Sequence, residues 1–310
     1  MRRTLPLLAS VALVVAACSS DGSEPADDGA TTTTAEATTT TAVETEAEPS
    51  ADQTPPASIN GITVDGETIW IASIEADEVL QVRRSDGAIL QRFSTDGAAP
   101  DDVAVAPDGA VWVTGFGNGD VGRIADGSYE VATTLASGIN PVAVDPGGDV
   151  LIGTFGPDGD LYRIDPALAA EATADWEPIA TELPDINGFD LLPDGRLFAP
   201  AGGLGGPGSA IAIDLATGAY ETLVAGLPPV AAAAVDADGT PHLLANITGE
   251  VIAVDVEAGT SEIVRTVSEG APFDNLSFAA DGTLYLSSFT APSLTEVAPD
   301  GTVRVIAIGG

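Results

Sequence analysis

Residues 101–115 read DDVAVAPDGAVWVTG, and residues 140–154 read NPVAVDPGGDVLIGT. Both follow one plan: a polar opening, a short apolar strand, a Pro/Asp/Gly turn and a second apolar strand. Four more segments repeat it. They are NGITVDGETIWIAS from Asn60, NGFDLLPDGRLFAPA from Asn187, AAAAVDADGTPHLLA from Ala231 and DNLSFAADGTLYLSS from Asp274. In chain order the six starts lie 41, 39, 47, 44 and 43 residues apart. Repeats of about 40–45 residues with four strands each are propeller blades. The reading is an all-β fold: one six-bladed β-propeller over residues 58–310, with four antiparallel strands per blade.

The details of each repeat fit that plan. The turn supplies a glycine able to take positive φ, as a tight hairpin requires. The first strand is nearly all small and apolar, which suits a crowded central axis. The second strand carries Trp112, Phe198 or Tyr285 at its third position after the glycine, with Leu151 and His242 in the same slot. A third strand follows (VGRIA from Val121, LYRID from Leu161, VIAVD from Val251), then another glycine turn and a fourth. No stretch has helical periodicity. Each blade is complete from its own segment, so closure by a shared strand is not expected. Residues 54–58 are expected to pad the seam.

The recurring P-x-x-hydrophobic-x-PDG-x-hydrophobic-aromatic pattern resembles the senescence-marker-protein/gluconolactonase family, with its strictosidine-synthase-like and NHL relatives. The segment INGFDLLPDGRLF at 186–198 is similar to that family's metal-site segment, which implies a ligand role for Asn187. NPVAVDPGGDVLIGT resembles the third-blade segment, which implies that Asn140 lies beside metal or substrate. Two positions depart from the family. Its first-blade metal Glu falls on Asn60, and its fifth-blade Asp, a ligand and proposed base, falls on Ala231. The resemblance thus implies the fold but not lactonase activity. GNGDVGRI at 117–124 also resembles the streptogramin-lyase propellers, which use a histidine facing the channel.

Superposing the repeats aligns Asn60, Asp101, Asn140, Asn187, Ala231 and Asp274 at the opening of the innermost strands. Five of these six are Asp or Asn, and they should surround the mouth of the axial channel. Hard oxygen donors of this kind suit Ca²⁺, with Asn60, Asp101, Asn187 and Asp274 as the expected ligands. The same residues also favour loop-to-strand junctions and solvate a wet channel, and both readings stand at this level. Loops between second and third strands should share that end. There Phe116, Phe155 and Phe289 either form an apolar rim for a ligand or cap the packing between blades.

Charge and composition exclude much else. The chain has 310 residues, with 10 basic and 47 acidic side chains, and every base is arginine. Nucleic acid is excluded as a partner, because phosphate binding needs clustered cations. One Cys and one His exclude an internal disulfide and a Cys/His zinc site. His242 sits in a packing slot, so an enzyme here would depend on metal-activated water, with Asp101 or Asp274 as proton acceptor. The acidic, lysine-free composition fits either a salt-adapted organism or a high-GC genome.

The N-terminus, MRRTLPLLASVALVVAAC, has two arginines before an apolar run too short to span a bilayer. Its end resembles the bacterial lipobox. That implies a signal peptide over 1–17, lipidation at Cys18, and a place on the extracytoplasmic side of the cell membrane. Residues 18–57, rich in Thr and acid, read as a disordered tether. The expected function is binding of a small molecule, glycan or protein at the mouth by a monomer. The alternative is a metal-dependent lactone or ester hydrolase.

Overall fold

The computed structural model describes residues 47–310 except 170–175, 204 and 269–271. The expected signal peptide, Cys18 and most of the expected tether lie outside the described residues. Blade one consists of β1 (Ile62–Asp65), β2 (Thr68–Ser73), β3 (Glu78–Arg83) and β4 (Ile89–Ser94). Five further four-stranded sheets follow within 100–134, 139–183, 190–227, 232–266 and 276–307, each antiparallel and in sequence order. The propeller expected from the repeats is the fold. Its one helix among the described residues is a single turn, Pro166–Ala169.

The core lies between blades rather than within them. A twisted sheet buries both faces only when a neighbour stacks on each. Among the described residues six buried clusters result, one at each junction. Trp70 and Phe93 meet Val103 and Val113 between blades one and two. Ile62, Leu80 and Ile89 meet Tyr285 and Leu294 at the seam between blades six and one. The aromatic slot fills these layers: Trp112, Phe198 and Tyr285 are among the largest fully buried side chains. His242 follows the same rule, packing 4.9 Å from the Phe278 ring with Nδ1 3.0 Å from the Thr240 carbonyl. Burial holds its pKa below the ordinary value.

Because strands alternate in direction, one end of the molecule carries the openings of the innermost strands and the loops between second and third strands. This is the mouth end. The glycine hairpins lie at the other, the turn end. Hydroxyls link neighbouring blades near the mouth: Thr114 Oγ1 donates to the Asn140 carbonyl at 2.5 Å, and Ser287 Oγ to the Asn60 carbonyl at 2.5 Å.

The seam has an additional fastening. Ser50 N donates to the Ile89 carbonyl at 2.7 Å. The Gln53 amide pairs with Ile89 in both directions, donating to its carbonyl at 2.8 Å and accepting from its N–H at 2.9 Å. A side chain thus copies a strand pairing along the edge of β4. Arg92 binds the Thr54 carbonyl. Gly309, beyond the last strand of blade six, donates to the Gly87 carbonyl at 2.9 Å, against the same strap. Residues 50–54, assigned from sequence to the tether, therefore bond to blade one. Removing 47–57 is expected to lower the thermal midpoint by several degrees, since three or more hydrogen bonds of about 1 kcal/mol each are lost. Removing 19–46 should leave it unchanged. Equal midpoints for the two deletions would show that the strap contributes nothing.

Candidate functional site

Five of the six aligned positions carry polar side chains, and the structure arranges four of them in two pairs. Asn60 Nδ2 donates to Asp274 Oδ2 at 3.2 Å across the seam. Asn140 Nδ2 donates to Asp101 Oδ2. Ala231 is buried and supplies no polar side chain. Asn187 turns inward on its own chain, its Oδ1 accepting the Gly188 N–H at 2.8 Å.

The centre of the site is a residue the aligned column leaves out. Asp102, 5% exposed, follows the aligned Asp101 as the third residue of the strand Pro100–Val105. Its Oδ1 accepts the Val103 N–H at 2.9 Å and the Asn275 amide at 3.1 Å, and its Oδ2 accepts the Val142 N–H at 3.1 Å. It thus ties blade two to blades three and six. Asn275 reaches past blade one because Gly61 stands between them. A Cβ on Gly61 would lie 2.3 Å from Asp102 Oδ1 and 2.5 Å from the Asp101 carbonyl. The sequence signal was the column Gly61, Asp102, Pro141, Gly188, Ala232, Asn275: mostly small residues around one acid. Deeper in the channel Asp190 does a similar task. It accepts the Val235 N–H of the next blade and the Leu191 N–H, both at 2.7 Å.

These carboxylates are crowded and poorly solvated. Burial, then the charges of Asp274 and Asp102, pushes Asp101 well above the ordinary range against the opposing Asn140 hydrogen bond. Burial raises Asp102 to about 7 in spite of its two backbone donors. Burial likewise raises Asp274 to about 6, opposed by Asn60, and Asp190 to about 6. Desolvation and like charge both favour the protonated acid.

The proposed calcium ligands fit the ion poorly in this arrangement. Asn60 Oδ1 already accepts the Ile74 N–H at 3.2 Å, and Asn187 Oδ1 is bonded to Gly188. The Asn60 and Asn140 amides present N–H groups, not oxygens, to the carboxylates. Among the described residues no three acidic, histidine or cysteine side chains are grouped to hold a metal ion. Calcium is expected to raise the unfolding midpoint no more than equimolar magnesium. A saturable shift specific to calcium would restore the metal reading.

Around this polar centre stands an apolar rim. Phe155 and Phe289 are 37% and 40% exposed, and Phe116 meets Phe155 edge-on at 6.4 Å between centroids. Ile74 is half-buried, and Ile247 is 63% exposed. Each lies within three residues of the end of a second strand. Backbone bonds tie these loops to the openings of the inner strands: Phe116 N to the Ala99 carbonyl, Phe155 N to Gly138, Ile59 N to Ser288. The three phenylalanines expected from sequence are on the mouth end. Ile247 escaped notice because Asn246 holds the aligned position in its blade.

No protein-family model and no curated protein sequence matches the chain. Solved structures do. Virginiamycin B lyase from Staphylococcus aureus superposes with a TM-score of 0.61 at 16% identity, over 84% of this chain and 86% of that one. A gluconolactonase from Xanthomonas campestris gives 0.61 at 16% identity, over 81% and 87%. The calcium-binding protein regucalcin from Agrobacterium tumefaciens gives 0.58 at 17% identity, over 76% and 83%. At these identities the likeness is one of fold: the chain is a six-bladed propeller of the gluconolactonase-like architecture.

Proposed function

We propose that this protein is a lipid-anchored ligand-binding propeller that takes a small molecule at the mouth of its axial channel. The observation that carries the reading is the rim of exposed phenylalanine and isoleucine around a ring of buried polar groups. Apolar walls with few, fixed polar groups are the usual composition of a small-molecule site. The anchor is the lipidation expected at Cys18. A catalytic role has less to stand on, since the blade-five position that carries the family's base is Ala231 and His242 packs between blades.

The test uses the full chain made soluble by Cys18→Ala. A neutral apolar dye such as Nile red should bind with a stoichiometry near one, and Phe155→Ala combined with Phe289→Ala should abolish the binding. Dye bound equally by that variant, or steady turnover of simple lactones by the purified protein, would overturn the reading. The anchor is tested separately. Cys18→Ala should move the protein from the membrane fraction to the medium, because two or more acyl chains are what make anchoring stable. Retention on membranes after a high-salt wash would refute lipidation.

A further inference from the structure

We propose a second binding site, at the turn end between blades five and six, for a short hydroxycarboxylate anion: Arg265 takes the carboxylate and His242 Nε2 accepts the hydroxyl. Both side chains line one cavity of about 130 Å³. Liquid water occupies about 30 Å³ per molecule, so the space holds about four waters or an organic acid of roughly three carbons. Val251, Leu284, Val297 and Pro299 give it apolar walls. The site stands apart from the mouth and does not depend on the function proposed there.

The first observation is an arginine without a counter-ion. Every other described arginine has a carboxylate oxygen within 3.8 Å. Arg265 makes no such pair among the described residues, in a chain with 47 acidic side chains against 10 basic ones. It stands on the outer strand of blade five, opposite Val251, and is half-buried. Its guanidinium reaches a blade-six hairpin, where a Cβ on Gly301 would lie 3.2 Å from Nη1. The acids of the blade-six hairpins there are engaged elsewhere. Asp300 accepts the Thr302 N–H at 2.8 Å, and Asp281 accepts the Thr283 N–H at 3.0 Å and pairs with Arg84 at 2.5 Å. A guanidinium is a flat fork of N–H donors that matches a carboxylate.

The second observation is a histidine held in one tautomer. His242 is 7% exposed, and its ring packs 4.9 Å from the ring of Phe278, which lines the same cavity. Its Nδ1 lies 3.0 Å from the Thr240 carbonyl. A carbonyl has no proton to give, so Nδ1 carries the hydrogen. The Asp236 carboxylate, 3.8 Å from the same nitrogen, favours a proton there too. Burial lowers the pKa of the ring, which keeps it neutral. A neutral imidazole protonated at Nδ1 offers only a lone pair at Nε2, and Nε2 has no hydrogen-bond partner among the described residues. That lone pair accepts an O–H and turns away a bare carboxylate oxygen. A neutral alcohol would leave the guanidinium unmatched, and an inorganic oxyanion would leave the apolar walls unmatched. A short acid with a hydroxyl meets all three.

The chain has one histidine, so in tag-free Cys18→Ala protein the imidazole NMR signals report this site alone. At about pH 7.5, roughly one unit above the ordinary imidazole pKa, lactate should shift those signals saturably. Propionate, which lacks the hydroxyl, should bind about threefold more weakly or worse. Lactamide, which lacks the charge, should leave the signals in place. Arg265→Gln should weaken lactate about tenfold or more, with Arg265→Lys between it and wild type. His242→Phe puts in the slot the residue that blade four has there, Phe198, and should keep the wild-type unfolding midpoint. Lactate should raise the midpoint of wild type, by its binding to the folded state, and should not raise that of His242→Phe. Equal affinity for lactate and propionate would overturn the role of Nε2 and with it the proposal. So would a lactate shift that survives in Arg265→Gln, or no shift up to about 50 mM. Dye binding at the mouth is untouched by any of these results.

Discussion

Acidification from pH 8 to pH 5 is expected to stabilise the propeller. The folded pKa values of Asp101, Asp102, Asp274 and Asp190 are all raised above the ordinary 3.8. In the window from about 4 to about 7 the folded state therefore holds protons that the unfolded chain releases. Stability falls as pH rises through that window and is flat above it. For Asp102, raised to about 7, roughly two units of the displacement lie between pH 5 and pH 8, on the order of 3 kcal/mol, so the midpoint should move by several degrees. A net charge of −37 adds self-repulsion in the same direction, so the measurement is a difference. Asp101→Asn keeps an acceptor for the Asn140 amide and removes a charge from the group. It should match wild type at pH 5, exceed it at pH 8, and show a shallower slope between. Parallel slopes for the two proteins would mean that the buried acids do not titrate in this window.

Gly61→Ala is expected to cost about 3 kcal/mol or more, at the upper end for one added methyl group. The new Cβ meets backbone on two counts, the Asp101 carbonyl at 2.5 Å and the Asp102 Cα at 2.5 Å. Backbone of an adjacent innermost strand cannot rotate away as a side chain can. Relief would require blades one and two to separate, breaking the bond from the Gly61 N–H to the Asp101 carbonyl. Gly66→Ala is the control. That residue has φ near 55° with open space around it, so only the left-handed strain of about 1 kcal/mol applies. If denaturant titration ranks the two variants equally, the tight approach at the axis is not a constraint.

The repeats were legible because what defines them is local. A PDG turn and an alternating strand are fixed within a dozen residues, and six copies make the propeller without knowledge of any contact. The ring at the mouth was legible as far as a single aligned column reaches, which covers the Asn60–Asp274 and Asn140–Asp101 pairs. Asp102 was not, because its role depends on three other blades at once: Gly61 leaves room, Asn275 reaches across, and Val142 offers an N–H. No comparison of like positions reports a contact between unlike ones. The strap was missed for a different reason. Its composition is that of a disordered tract, and its attachment rests largely on one glutamine whose side-chain amide imitates a strand.

The strap also sets a direction. It meets the propeller at the β3–β4 hairpin, with the Ala47 carbonyl on Arg83 and Gln53 on Ile89, and this hairpin is at the turn end. A pull on residue 47 is therefore delivered to the outer edge of blade one, at the opposite pole from Asp101, Asp102 and Asp274. The load path runs through the Gln53–Ile89 and Arg92–Thr54 bonds before it reaches residues 58–60. The ring at the mouth is thereby the last element that such a pull reaches.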